Sequence, residues 1–217
     1  MVDMEELCAL YPEELRLPRF REFILKEYLQ YKMLDSIAGS DSAGKISFIG
    51  GTNLRIIHNN RRFSEDLDFD NFGLERDEFR AMTDGVVDQL RASGYDATAI
   101  DREKDAELQA FRRNIHFPEL LYRLGLTGHR NKRFLIKIES QAQGYSYAPA
   151  HSLIQKFDVF TTIPATPPSI LLSMKICALL SRKKGRDFYD IVTLLENTTP
   201  DYGYLRQQAG IDTPEKL

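Results

Sequence analysis

Apolar and polar residues in the first third of the chain are spaced first as in a helix and then as in a strand. Between positions 19 and 37, apolar residues recur at roughly helical intervals among charged ones, which predicts an amphipathic helix. A polar stretch at 39–44 predicts a loop, and the apolar run at 46–49 predicts a short strand. Gly50 and Gly51 then turn the chain into a short helix, with Thr52 or Asn53 available to cap it.

The middle of the chain has the pattern of a sheet with one further helix. A strand is predicted at 67–69, and helical spacing returns at 75–92, where Ser93 and Gly94 end the helix. Segments near 95–101, 109–117 and 133–140 alternate between apolar and polar residues and predict strands of an antiparallel or mixed sheet. A loop at 141–150 and a last short strand at 159–163 complete this part.

The carboxyl-terminal part is predicted to be helical. Pro167 and Pro168 favour a helix start before 170–181, a polar break follows at 183–185, and a second helix covers 186–196. We therefore expect an α+β fold, in which residues 1–164 form a small mixed β-sheet with flanking helices and residues 165–217 form a helical portion. The stretch 212–215 has the pattern of another helix start, so we expect helical structure to continue beyond position 217.

The composition narrows the class of protein. Hydrophobic residues make up 42% of the chain and charged residues 28%, which is typical of a soluble globular protein. The net charge of −3 gives no overall basic signal, so contact with nucleic acid would need a local patch. Cys8 and Cys177 lie far apart and the histidines are scattered, so no zinc site is predicted. Without a signal peptide or membrane-spanning segment, we expect a cytoplasmic protein and no membrane partner.

Two alternating carboxylates are the first candidates for chemistry. Asp66 and Asp68 lie two positions apart in a predicted strand, so their side chains face the same side of the sheet. Mg²⁺ accepts one or two carboxylates together with substrate phosphates and would relieve the repulsion between them. The alternative is a solvated edge strand whose acidic residues pair with Arg61 or Arg62.

The glycine pair that precedes these carboxylates favours the magnesium site over the solvated edge strand. Gly50 and Gly51 precede a helix start and can bring backbone N–H groups close to a phosphate. A tight turn that binds no ligand is the alternative. Together, the glycine turn and the carboxylate pair favour phosphoryl chemistry.

These residues carry a family resemblance. The run GGTNLR at 50–55, followed by RFSEDLDF at 62–69, resembles the AbiEii/AbiGii toxin family within the nucleotidyltransferase superfamily. The resemblance extends over roughly residues 45–196. It implies that residues 1–164 form a nucleotidyltransferase-like catalytic domain, and that the chain is the toxin of a bacterial toxin–antitoxin or phage-defence (abortive infection) system.

A second block supports the resemblance. Lys175 is the only charged residue between 170 and 180, and burying a lone ammonium is costly unless it meets an anion. By resemblance, Lys175 contacts nucleotide phosphate, and Asp187 or Asp190 is a further active-site carboxylate. Asp187 has the alternative role of an acidic residue at a helix N-terminus, and the sequence leaves open which of the two points inward.

The remaining candidates come from the same resemblance. Glu139 is the best match for a third catalytic carboxylate, at a place where the family more often has Asp. Thr52, Arg55 and Ser64 are further candidates for contacts near the phosphates or for orienting the Asp66 strand. The basic clusters at 112–113 and 182–184 are the first places to expect phosphate contacts if the partner is RNA.

The implied reaction is transfer of a nucleoside monophosphate from an NTP. The resemblance implies that Asp66 and Asp68 bind Mg²⁺ (or Mn²⁺), as two ions, and that Gly50, Gly51, Thr52 and Lys175 hold the phosphates. The implied acceptor is RNA, notably the tRNA 3′ end, or a protein, and a cognate antitoxin is an expected partner. Two alternatives stay open: a degenerate fold that binds a nucleotide or a partner protein without turnover, and a nucleotidyltransferase that acts on a small molecule.

Overall fold

The computed structural model describes residues 2–101 and 110–217. The α-helices in these ranges are α1 (Met4–Ala9), α2 (Arg21–Ala38), α3 (Gly50–Ile56), α4 (Arg76–Ala92), α5 (Leu120–Arg123), α6 (Pro168–Arg182), α7 (Gly185–Leu195) and α8 (Tyr202–Ala209). The β-strands are β1 (Ile46–Ile49), β2 (Leu67–Asn71), β3 (Thr98–Asp101), β4 (Ala110–His116), β5 (Leu135–Gln141), β6 (Ala150–Lys156) and β7 (Val159–Ala165). Gln109, the first residue of one predicted strand, lies outside the described residues.

The described strands form one mixed sheet in the order β3-β4-β5-β2-β1-β7-β6. The pairs β2–β5 and β1–β7 are parallel, and the other neighbouring pairs are antiparallel. The prediction of an α+β fold with a mixed sheet and flanking helices is therefore confirmed. Because β2 lies in the middle of the sheet, between β5 and β1, the alternative of a solvated edge strand is wrong.

The step from β1 into α3 sets the position of the glycine turn. In the antiparallel pair of β1 and β2, Ile49 lies opposite Asp68, so the next residue, Gly50, begins α3 beside that carboxylate. Gly50 has φ +81°, and a Cβ built there would lie 2.5 Å from Asp68 Oδ2. Only glycine fits both the conformation and the space.

The capping prediction for α3 is wrong. The helix begins at Gly50, and the N-cap residue is Ile49. The apolar side chain of Ile49 cannot accept a capping hydrogen bond. Thr52 and Asn53 lie inside the helix instead. Their side chains tie it to the strands: the Thr52 hydroxyl donates to the carbonyl of Asp66, and the Asn53 amide donates to the carbonyl of Phe48 at 2.7 Å.

The two faces of the sheet are covered differently. One face packs its apolar side chains, Phe48 and Phe69 among them, into a large core with α1, α2 and α4. A second, smaller apolar cluster joins Leu54 of α3 to α6, α7 and α8. Burying one such large side chain is worth about 1.5–3 kcal/mol, so both clusters hold their helices firmly. A polar cleft remains between the second group of helices and the polar face of β2 and β5.

Three described elements, α1, α5 and β6, lie where no element was predicted, and α8 lies within the predicted helical portion but was not predicted as a separate helix. The predicted boundary at 164/165 falls near the end of β7 and stays a prediction. The stretch 212–215 forms only a single turn of 3₁₀-helix at Pro214–Lys216. Among the described residues, no helix combines the length and the hydropathy needed to cross a membrane.

Candidate active site

A cleft of about 660 Å³ opens between the polar face of β2 and β5 and the side of α6. It is the place where most of the predicted residues meet, although they come from distant parts of the chain. The predicted residues that line it are Gly50, Gly51, Ser64, Asp66, Asp68, Glu139 and Lys175. The other predicted residues do not line the cleft but lie behind the residues that do: Thr52, Arg55, Asp187 and Asp190.

The carboxylate pair lies on one wall of the cleft. Asp66 and Asp68 face it because Leu67 and Phe69, which alternate with them, are buried in the core. Asp68 lies opposite Glu139 in the parallel pair of β2 and β5. Burial raises the pKa of Asp68 to about 6, and the nearby charges of the other two carboxylates act in the same direction.

The glycine turn forms the part of the cleft next to these carboxylates. Gly50 leaves room for Asp68, as described above. A Cβ at Gly51 would lie 2.7 Å from both Arg62 Nη2 and Ser64 Oγ, so the second glycine allows the segment before β2 to lie against the start of α3. Both glycines therefore serve close approach of chain segments around the cleft.

Lys175 supplies the ammonium predicted from the sequence, on the opposite wall. Its side chain is 9% exposed, and its Nζ lies 2.8 Å from Asp190 Oδ2 and 3.8 Å from Asp187 Oδ1. Both aspartates are fully buried, which answers the question of which one points inward. Since they lie behind Lys175, they hold a cation toward the cleft rather than facing it themselves.

Two arginines complete this arrangement. Arg62 donates from Nε to Asp190 Oδ1 at 2.7 Å and from Nη2 to Oδ2, and Arg182 forms the same kind of pair with Asp187 at 2.7 and 2.6 Å. Burial opposes ionisation of both aspartates, but these arginines and Lys175 hold both pKa values below the ordinary range. The two aspartates therefore stay charged.

The cleft is accordingly divided by charge. Arg62, Lys175 and Arg182 line it on one side, and Asp66 and Asp68 line it on the other. The sequence predicts Arg182 only as part of a basic cluster for RNA phosphates, and Arg62 only as a possible partner of Asp66 and Asp68, so their pairing with Asp187 and Asp190 was not predicted. The sequence did contain a clue to these ion pairs. Two aspartates of one helix, Asp187 and Asp190, lie in the same motif block as Lys175 and Arg182, so buried aspartates there would need cationic partners.

Glu139 lies at the predicted place but is already paired. Arg112 donates to it from Nε at 2.7 Å and from Nη2 at 3.3 Å, and Lys137 Nζ lies 3.1 Å from Oε2. Burial works against ionisation of Glu139, yet these two cations hold its pKa below the ordinary value. Glu139 is therefore a charged partner of Arg112 and Lys137, and the sequence pattern predicts neither contact.

The second-tier candidates lie in different places. Ser64 lines the cleft. Thr52 is fully buried and its hydroxyl is bonded to the carbonyl of Asp66, so it supports the strand rather than facing a phosphate. Arg55 donates to Glu27 at 2.6 Å and to the carbonyl of Asn60 at 3.0 Å, which places its guanidinium beneath the segment before β2 and not in the cleft.

The donor set fits a hard divalent cation. Asp66 and Asp68 offer carboxylate oxygens side by side, and Mg²⁺ is commonly bound by one or two carboxylates plus substrate phosphates. Burial raises the pKa of Asp68, although the charges of Lys137 and Lys175 act to lower it, so a bound cation would favour the ionised carboxylate. In the described ranges, no group of three or more His, Cys, Asp or Glu residues has the arrangement of a complete metal site, so substrate would have to supply further ligands.

Solved structures of other proteins share this fold. MenT4, a nucleotidyltransferase toxin from Mycobacterium tuberculosis, has a similar fold with a TM-score of 0.69 at 17% identity, covering 96% of this chain and 69% of MenT4. JHP933 from Helicobacter pylori has a TM-score of 0.54 at 19% identity, covering 84% of this chain and 68% of that one. No curated protein gives a significant sequence match.

The sequence also matches a family model, described as the nucleotidyl transferase AbiEii toxin of type IV toxin–antitoxin systems, over residues 32–209. This match spans most of the chain and includes every residue that lines the cleft. The chain belongs to the AbiEii family of nucleotidyl transferase toxins.

Proposed function

We propose that this protein transfers a nucleoside monophosphate from an NTP to a hydroxyl group of an RNA acceptor in a Mg²⁺-dependent reaction. The observation that carries the proposal is the division of one cleft by charge. Asp66 and Asp68 lie on one wall together with Glu139 and Lys137. Three cations face them from the other wall: Lys175 is buried, Arg62 is half-buried and Arg182 is exposed. A triphosphate needs cations along its length, and its reacting phosphate needs a metal site beside it.

The cations are placed to bind the triphosphate. Arg62 and Arg182 are fixed by bidentate pairs with Asp190 and Asp187, so they lose little freedom when a phosphate binds. Lys175 lies between them and touches both aspartates. Their preorganised charge would stabilise the negative charge that moves onto the departing pyrophosphate.

The carboxylates are placed at the reacting phosphate. Asp66 and Asp68 would hold the Mg²⁺, which would stabilise negative charge on the phosphates and lower the pKa of the attacking hydroxyl. The absence of a side chain at Gly50 leaves Asp68 open toward the cleft. Thr52 keeps the backbone of Asp66 in place through its hydroxyl.

RNA is proposed as the acceptor, with the tRNA 3′ end as the first candidate. The support is a basic rim beside the cleft, because Arg186 lines the cleft and Lys183 and Lys184 are exposed next to it. Such residues can contact the phosphates of a polyanion that is too large to enter the cleft. A protein or small-molecule acceptor would have no need of this rim.

Transfer of label from α-³²P-NTPs to total RNA tests the proposal directly. Each of the four NTPs is tried with Mg²⁺, and labelled RNA is the expected product. Asp68→Asn should abolish labelling, whereas Asp88→Asn, an exposed aspartate on α4, should leave it unchanged. No labelled RNA with any NTP would contradict the proposal, and label found in protein or small molecules would redirect it to another acceptor.

The family also supports a proposal about the partner. The type IV system named for the family pairs the toxin with an antitoxin, so we propose that expression of this chain arrests bacterial growth and that a cognate antitoxin restores it. Growth curves with wild type and Asp68→Asn test this. An inactive variant that still arrests growth would show that the toxicity does not come from this cleft.

One observation favours a second candidate, a protein that binds nucleotide without turnover. Both oxygens of Glu139 are engaged by Arg112, so a third carboxylate is not open to the substrate. Binding experiments do not separate the two candidates because both proteins would bind Mg²⁺–NTP. Two results together would support this second candidate. Calorimetry would show binding of Mg²⁺–NTP, and the labelling assay with a whole-cell extract as the source of acceptors would give no labelled product.

A further inference from the structure

Lys137 holds a position between two carboxylates of the cleft. On β5 it alternates with Glu139, so both side chains face the cleft. Leu67 of β2 pairs with Ile138 in the parallel register, so Asp66, the residue before β2, lies beside Lys137. Its Nζ lies 3.3 Å from Asp66 Oδ2 and 3.1 Å from Glu139 Oε2. The ammonium thus bridges the two carboxylates that flank Asp68.

The charges around this ammonium are nearly balanced. Glu139 receives two hydrogen bonds from Arg112 in addition to its contact with Lys137. This wall therefore holds three carboxylates, Asp66, Asp68 and Glu139, and two cations, Lys137 and Arg112. The remaining net charge of about −1 is available to attract a cation. Asp68 is the carboxylate with no ion pair to a described residue within 4 Å.

We propose that Lys137 occupies the place of a second divalent cation, so that the cleft binds one such ion, at Asp66 and Asp68. This inference rests on the proposed nucleotidyl transfer and replaces the expectation of two ions. In a two-metal site, the second ion supplies positive charge about 3.5–4 Å from the first, beside the reacting phosphate. Here that charge is supplied by a side chain that belongs to the sheet itself.

The role assigned to Lys137 differs from that of Lys175. Lys175 is held from behind by two buried aspartates, so its charge is available to a phosphate in the cleft. Lys137 instead contacts the carboxylates of its own wall. It fixes the orientation of Asp66 and carries positive charge beside the reacting phosphate with no second ion.

The test counts bound Mn²⁺ by electron paramagnetic resonance, on the full chain saturated with an α,β-methylene NTP that cannot react. Wild type should retain one Mn²⁺ per chain. Lys137→Gln removes the charge and should retain a second ion, whereas Lys137→Arg keeps the charge and should retain one. Lys132→Gln, which removes a surface lysine paired with Glu22, is the matched control and should also retain one.

Each outcome separates this inference from the proposed function. Two ions in wild type, or one ion in a folded Lys137→Gln, overturns the role of Lys137 and leaves nucleotidyl transfer intact. No ion in wild type overturns Mg²⁺ dependence and this inference together. A single ion in wild type and two in Lys137→Gln support the inference even if no RNA is labelled, because ion counting needs no turnover.

Discussion

Arg62 and Asp190 lie 128 residues apart in the chain and form a bidentate ion pair at the cleft, with Nε 2.7 Å from Oδ1. Asp190 is fully buried and also receives the Asn60 amide at 2.9 Å and the Lys175 ammonium at 2.8 Å. The pair therefore fastens the segment before β2 to α7. The two motif blocks of the sequence become one site through this contact.

We expect Asp190→Asn to lower both stability and nucleotide affinity. The change leaves Arg62 and Lys175 without their buried anion, and loss of one partner of a buried ion pair costs about 3–5 kcal/mol. Nucleotide affinity should fall at least about tenfold, equal to about 1.4 kcal/mol, because both cations lose their fixed position. Urea unfolding and nucleotide titration measure the two effects.

The matched control for this variant is Asp158→Asn. Asp158 pairs with Lys32 on the surface and its side chain is 63% exposed, so the cost should be about 0–1 kcal/mol with no change in affinity. Equal losses in the two variants would show that Asp190 does not anchor the site.

Gly50→Ala should damage the site more than a glycine change elsewhere. The new Cβ would meet Asp68 Oδ2 at 2.5 Å, and the positive φ of +81° adds strain for any other residue. We expect a loss of about 1–3 kcal/mol in unfolding free energy and a strong loss of nucleotidyl transfer, because Asp68 must move. Thermal unfolding and the RNA-labelling assay report the two quantities.

Gly85→Ala is the control for that substitution. Gly85 lies inside α4 with open space around it, so alanine should stabilise the helix by up to about 1 kcal/mol and leave transfer unchanged. If Gly50→Ala behaved like Gly85→Ala, close approach to Asp68 would not be the reason for glycine at position 50.

The sequence predicts the parts of this fold that carry a clear pattern. The strand with Asp66 and Asp68 and the helix with Lys175 follow from alternation and helical spacing. The edge strand β6 was not predicted, because only Ile154 among its residues is buried and no alternation remains to be read. The short helices α1, α5 and α8 have four to eight residues, too few for a helical period to stand out.

The pairing of charges was the least predictable part of the site. Motifs place Arg62, Asp187 and Asp190 near the site, but a spacing of 128 residues gives no sign of which arginine meets which aspartate. The fixed register of β2 and β5 decides that Lys137 touches Asp66. Such contacts depend on how α6 and α7 pack against the sheet, which the sequence pattern alone leaves open.

Asp68 should make stability depend on pH in the absence of metal. Its pKa is raised from 3.8 to about 6, so the folded protein holds the proton more tightly than the unfolded chain. Stability contributed by this group is therefore lost as pH rises from about 4 to about 6. The shift of about two units corresponds to about 3 kcal/mol.

Comparison with Asp68→Asn isolates this effect. In urea unfolding with chelator present, the variant should gain stability relative to wild type between pH 4 and 6 and keep a constant advantage above about pH 7. Added Mg²⁺ should reduce that advantage, because it binds the ionised carboxylate. Parallel stability curves across this pH range would contradict the raised pKa.

A second charge cluster lies beneath the segment before β2. Glu27 is 3% exposed and accepts hydrogen bonds from Tyr11 at 2.9 Å, from Arg55 at 2.6 Å and from Lys156 at 2.6 Å. Arg55 also donates to the carbonyl of Asn60 at 3.0 Å. The cluster thus supports the segment that carries Arg62 into the cleft.

Glu27→Gln should therefore weaken nucleotide binding from a distance. The variant leaves the half-buried Arg55 and Lys156 beside a neutral amide. Loss of the buried anion costs up to about 3–5 kcal/mol, and the support of the segment before β2 loosens. If the loss of affinity passes through Arg62, the same change made in an Arg62→Met background should reduce stability but not affinity any further. Glu22→Gln, a surface pair with Lys132, should change neither quantity appreciably. Additive losses of affinity in the double variant would show that Glu27 acts on nucleotide binding by another route.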